Sequence, residues 1–131
     1  MTKAMYALTV KSDFAAAHQL RGYQGACENL HGHNWKVEVT IMANKLNELG
    51  IVTDFREIKR VLDGVLESLD HKNLSDLEPF KKANPTSENI CAWLFQELDK
   101  RLSSRDLKVN KVTVRETDNY AASYYRQASE P

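Results

Sequence analysis

The run Cys27-Glu28-Asn29-Leu30-His31-Gly32-His33 holds two of the chain's four histidines and one of its two cysteines. On a strand, residues i and i+2 project to the same face, so His31 and His33 can reach one ion. His18 closes an earlier apolar stretch. If the two segments pair as a hairpin, His18 lies opposite the His-Gly-His. Three imidazoles with an open fourth position make a catalytic-type zinc site. Imidazole ligands suit zinc, and copper, nickel and iron as well. Taken alone, a His-x-His pair is equally a pair of hydrogen-bonded surface histidines.

Cys27 stands four residues before His31. Three readings are open for its thiol. Near a metal or an imidazole its pKa falls and it serves as base or nucleophile. As a fourth ligand it would close the site and make the metal structural. It could also be an inert loop cysteine. Cys91, beside the apolar stripe of a helix, reads as core.

Asp70-His71 sets a carboxylate beside an imidazole, a pairing that fixes the tautomer and raises basicity. The competing reading is a histidine at a helix C-terminus interacting with the dipole. Glu116, before a turn, could accept paired N–H donors of a heterocycle, or could be a solvated strand-end charge. Thr86 and Ser87 read as helix caps.

These residues need elements to place them. Tyr6, Leu8 and Val10 alternate with Ala7, Thr9 and Lys11, predicting a strand over 5–18. His33, Trp35, Val37, Val39 and Ile41 share one face of a second strand, 31–43. The loop between them contains Gly22 and Gly25, and the polar segment from Asn44 to Gly50 turns the chain. A helix starts near Thr53 or Asp54, with Asp54 and Glu57 resembling a capping box. Its stripe is Phe55, Ile58, Val61, Leu62, Val65, Leu66 and Leu69. A second helix starts near Thr86, after Pro85, and buries Ile90, Trp93, Leu94 and Leu98. Strands at 107–116 and 120–127 flank the turn Thr117-Asp118-Asn119. The order strand, strand, helix, helix, strand, strand predicts an α+β fold: an antiparallel sheet with both helices on one face and two open edges.

The chain has 131 residues, which suits a single domain over 1–131. Hydrophobic residues are 42% and charged residues 27%, enough apolar material for one core. Lys plus Arg and Asp plus Glu are 18 each, so the formal net charge is zero. Without a basic excess or run, a nucleic-acid partner is not expected. No stretch reaches the ~20 apolar residues of a membrane span. The opening residues carry no signal-peptide core, and two cysteines make no disulfide framework, so a reducing cytoplasm is expected.

Six separated motifs, in order, carry a resemblance: Phe14-Ala15-Ala16-Ala17-His18, Cys27-x-x-x-His31-Gly32-His33, Val52-Thr53-Asp54-Phe55, Leu69-Asp70-His71-Lys72-Asn73-Leu74, Pro85-Thr86-Ser87-Glu88-Asn89 and Val114-Arg115-Glu116-Thr117-Asp118. Together they resemble the 6-pyruvoyl-tetrahydropterin synthase and 6-carboxy-tetrahydropterin synthase family over nearly the whole chain. The Cys27-to-His31 offset is most like the bacterial 6-carboxy-tetrahydropterin synthases. The resemblance implies the tunnelling fold, a ββααββ subunit whose trimers close a twelve-stranded barrel and stack as homohexamers with interfacial active sites. It implies a zinc lyase acting on 7,8-dihydroneopterin triphosphate in queuosine and 7-deazapurine synthesis, releasing acetaldehyde and triphosphate. Zinc would sit on His18, His31 and His33, with Cys27 as base and Asp70 and His71 as proton relay. Glu116 would anchor the pterin and join the relay, and Thr86 and Ser87 would line its pocket. Glu28 marks a branch that makes 6-hydroxymethyl-dihydropterin for folate and lacks the cysteine. A chain with both Cys27 and Glu28 resembles the subset with a combined, bifunctional motif. The alternatives are 6-pyruvoyl-tetrahydropterin synthesis and a non-catalytic fold member with structural zinc.

Overall fold

A computed structural model describes residues 4–22 and 29–127. Strand β1 (Tyr6–His18) and strand β2 (His31–Ala43) form an antiparallel hairpin paired one-to-one along both strands. The register sets His18 against His31 and Ala16 against His33. Since side chains alternate along a strand, Trp35, Val37, Val39 and Ile41 all point into the core, each fully buried. His31 and His33 continue that face past its apolar end.

Helix α1 (Phe55–Glu67) is capped by Asp54, whose carboxylate accepts the Arg56 N–H at 2.8 Å. The predicted capping box does not form. Glu57 turns outward to Arg60 instead of reaching back to the cap. The stripe is also shorter than the spacing suggested: Ile58, Leu62, Val65 and Leu66 are buried, while Phe55 is 58% exposed. Phe55 is the first helical residue and lies before the turn that packs on the sheet. Leu69 is buried, but beyond the helix end.

Helix α2 (Ser87–Leu102) starts at Thr86, whose hydroxyl oxygen accepts the Asn89 N–H at 3.0 Å. Ile90, Cys91, Leu94, Phe95 and Leu98 are buried, and Trp93 is half-buried against Phe80. Strands β4 (Leu107–Thr117) and β5 (Tyr120–Tyr125) complete the second hairpin. β4 pairs with β2, and Val109, Val112 and Val114 meet the helices from the sheet.

The sheet has five strands rather than four: β3 (Lys72–Asn73) joins the others in the order β3-β1-β2-β4-β5. The extra strand runs parallel to Ala16–Ala17 of β1. Two residues carry no periodicity, so only their pairing reveals them. One outer edge is thereby covered at the histidine end of β1. Two 3-10 turns, Leu74–Asp76 and Glu78–Phe80, lead on to α2. None of the described helices is long and apolar enough to cross a membrane.

Candidate metal centre

β1 and β2 deliver three imidazoles to one end of the sheet, and β4 delivers a carboxylate. One donor atom each from His18, His31, His33 and Glu116 lies within 4.8 Å of every other. His18 Nε2 is 3.1 Å from His31 Nε2 and 3.1 Å from Glu116 Oε1. Glu116 Oε1 is 2.9 Å from His33 Nε2. Glu116 reaches the cluster because it follows Val112 and Val114 on the core-facing side of β4.

The histidines are oriented from behind. His18 Nδ1 is 2.7 Å from the Pro85 carbonyl oxygen, and His31 Nδ1 is 2.7 Å from the Asn29 carbonyl oxygen. A carbonyl only accepts, so both Nδ1 atoms carry a proton, and in the neutral imidazole both Nε2 atoms present lone pairs to the cluster. This is the outer-sphere arrangement metal-bound histidines use. Trp35 backs the site. Its ring stands edge-on to His18 at 4.9 Å and to His33 at 5.2 Å, and its Nε1–H donates to the Ala16 carbonyl at 3.1 Å.

The donor set fits a metal ion. His33 Nε2 is buried without a hydrogen-bond partner. The Glu116 carboxylate oxygen stands 2.9 Å from it. Burial holds the His33 imidazole below its ordinary pKa, and the neighbouring His18 and His31 act in the same direction against the pull of Glu116. Neutral imidazole is the metal-binding form. A tetrahedral ion with bonds near 2.0–2.1 Å sets its ligand atoms about 3.3 Å apart, close to the three separations above, with the remaining donor pairs within 4.8 Å.

Asp70 and His71 do touch: His71 Nδ1 is 2.9 Å from Asp70 Oδ2. The dipole reading of His71 is corrected, because α1 ends at Glu67 and His71 lies beyond it. His71 is held at φ +59°, a left-handed conformation uncommon for a residue with a side chain. Two bonds impose it: the His71 N–H donates to the Ala15 carbonyl at 2.6 Å, and the Ala15 N–H donates to Asp70 Oδ1 at 2.9 Å. The second bond is the main reason the Asp70 carboxyl sits below the ordinary carboxylate range, with His71 contributing. The dyad is thus fixed at the backbone of β1, one residue from the Ala16–His33 pair, with the imidazole 81% exposed.

Thr86 and Ser87 follow Pro85, so the start of α2 adjoins the His18 side of the cluster. Cys27 and Glu28 lie outside the described residues. Cys91 is core, as expected. Burial is the main cause that pushes its thiol up to about 11, and it donates to the Glu88 carbonyl at 3.2 Å. Sequence reasoning saw Pro85 only as a helix punctuator and missed its carbonyl as the anchor of His18. Backbone acceptors leave no mark in residue type.

A family model described as 6-pyruvoyl tetrahydropterin synthase matches residues 7–127. A Synechocystis protein named 6-carboxy-5,6,7,8-tetrahydropterin synthase is 34% identical over 97% of this chain and 98% of its own. A Pyrococcus furiosus protein named dihydroneopterin monophosphate aldolase is 34% identical over 84% of this chain and 89% of its own. The solved structure of Caenorhabditis elegans 6-pyruvoyl tetrahydropterin synthase superposes with a TM-score of 0.85 at 28% identity, covering 97% of this chain and 99% of that one.

Proposed function

Since this chain belongs to the 6-pyruvoyl tetrahydropterin synthase family, we propose that it is a zinc enzyme. It converts 7,8-dihydroneopterin triphosphate and water to 6-carboxy-5,6,7,8-tetrahydropterin, acetaldehyde and triphosphate, in queuosine and 7-deazapurine synthesis. The observation that carries this reading is the convergence of His18, His31 and His33 on one point, with the His18 and His31 rings turned there by backbone carbonyls at Nδ1 and His33 Nε2 buried without a hydrogen-bond partner.

A zinc ion held by these three histidines would supply Lewis-acid polarisation of the substrate's side-chain oxygens. Cys27 removes a proton from the side-chain carbon. His71, oriented by Asp70, delivers a proton elsewhere on the substrate. An acid and a base on opposite sides let the molecule redistribute its own electrons without a nicotinamide. Glu116 accepts ring N–H donors of the pterin, and Thr86 and Ser87 line the ring. Thr86 commits an oxygen lone pair to the helix cap and keeps its hydroxyl proton for a ligand.

Copies of the chain complete the site by assembling into barrel-closing trimers and hexamers. Supporting this is an open groove of about 420 Å³ at the other end of the sheet, where Tyr6, Leu46, Ile51 and Phe55 are exposed. Its apolar lining suits contact with another protein surface.

The test is product identification by mass spectrometry after incubating zinc-loaded protein with 7,8-dihydroneopterin triphosphate. A 6-carboxyl pterin with acetaldehyde is expected, and Cys27→Ala should abolish it while zinc stays bound. Full turnover by that variant would remove Cys27 from the mechanism. A second reading is favoured by Glu28 beside Cys27 and by the likeness to the aldolase-named Pyrococcus furiosus protein. It is formation of 6-hydroxymethyl-7,8-dihydropterin with Glu28 as base. That product, lost in Glu28→Gln, would establish it.

A further inference from the structure

Glu116 stands among the three histidines as well as near the end of strand β4. Its Oε1 lies 2.9 Å from His33 Nε2 and 3.1 Å from His18 Nε2. The Nδ1 atoms of His18 and His31 are committed to carbonyls, so their Nε2 atoms are the ones turned to the cluster, where one donor atom each of His18, His31, His33 and Glu116 lies within 4.8 Å of every other. These four donors converge on a point where a metal ion fits.

We propose that Glu116 is the fourth metal ligand of the resting enzyme and leaves the metal when the pterin ring claims its carboxylate. The identity of the displacing ligand rests on the pterin reading above; the ligation does not. A His₃Glu set is coordinatively closed, whereas catalysis requires an open position. Glu116 is the ligand able to open it. His18 and His31 are each held by a second bond at Nδ1, and His18, His31 and His33 all lie on paired strands. Glu116 lies where the ladders lapse. β2–β4 pairing ends at Lys36 and Arg115, and β4–β5 pairing slips between Arg115 and Thr117. Such irregularities re-aim side chains beside functional sites. One carboxylate thus couples two events: capture of the ring and exposure of the metal to the substrate's side chain.

The experiment uses the cobalt(II)-loaded full chain, whose visible spectrum reports coordination. Glu116→Gln should change the resting spectrum. It should also weaken metal affinity in chelator competition by about tenfold or more, since even an outer-sphere partner contributes that much. Adding a dihydropterin without a side chain should shift the wild-type spectrum and leave that of Glu116→Gln unmoved. Glu116→Ala, checked for folding by circular dichroism, should regain the resting wild-type spectrum on addition of acetate. Identical resting spectra and affinities for wild type and Glu116→Gln would overturn the ligation. A ligated Glu116 whose spectrum ignores the dihydropterin would overturn the release. If wild type gives no pterin product from 7,8-dihydroneopterin triphosphate while the cobalt differences persist, the functional reading fails and the ligation stands.

Discussion

Asp70 makes two contacts with opposite partners: Oδ1 takes the Ala15 N–H and Oδ2 meets His71 Nδ1. The first ties the carboxylate to the scaffold and the second hands that order to an exposed ring. Because the folded-state pKa of Asp70 is depressed, its stabilisation is full above the unfolded value of about 3.9 and disappears as pH falls through the lower folded value. Asp70→Asn should therefore be less stable than wild type at pH 7, and the gap should close on acidification. Denaturant melts at pH 7 and at pH 3 check this; a gap that is constant with pH would mean the carboxylate's charge is not what holds Ala15. The histidines were legible from their spacing, and Cys91 from its neighbours on α2. The Asp70–His71 contact was not, because it depends on a left-handed backbone angle at a non-glycine residue, set from outside by Ala15.

At the scale of elements, the start of α2 serves two ends. Thr86 caps the helix and Pro85, one residue earlier, turns its carbonyl to His18. Thr86→Ala should cost about 1 kcal/mol in urea unfolding, the ordinary value of an N-cap, and Thr86→Ser should restore most of it. A loss below a few tenths would mean that the turn is held by the Asn89 side chain, whose Nδ2–H donates to the Asn84 carbonyl at 2.9 Å. The longer strands and the starts of both helices could be read from the sequence nearly to the residue, since each sustains one period over many positions, but the end of α1 could not: the apolar spacing runs on to Leu69 and the helix stops at Glu67. Features made by pairing alone could not be read either: β3, and the register slips at Thr40/Ile41 and at Glu116. The capping box failed for a local reason, as Glu57 has Arg60 one turn away and takes it.

Across the whole molecule, the core and the candidate metal centre are stacked along one sheet face. Valines 37, 39, 109, 112 and 114 pack under Ile58, Leu62, Leu94 and Leu98, and the same face runs through Trp35 into the histidines. A ligand that binds only the folded chain stabilises it by about 2.7 kcal/mol at a free concentration a hundred times its Kd. Chelation should lower the melting temperature of the zinc-loaded protein, and His31→Ala should melt at one temperature with or without chelator. A His31→Ala variant as chelator-sensitive as wild type would place the stabilising ion elsewhere. The α+β architecture followed from element order alone. The convergence of Glu116 with His18 and His33 did not, because it joins residues from opposite ends of the chain through a β2–β4 pairing that no local pattern announces.

Trp35 is fully buried, packed against Phe14, and stands T-shaped to His18 and His33 of the candidate metal centre. An indole so placed is an optical antenna at the centre of the chemistry. Its excited state lies within energy-transfer range of any coloured ion the histidines hold, so cobalt or copper entering the site darkens its emission while colourless zinc does not. Site occupancy can therefore be followed in the unlabelled protein, without substrate and without turnover.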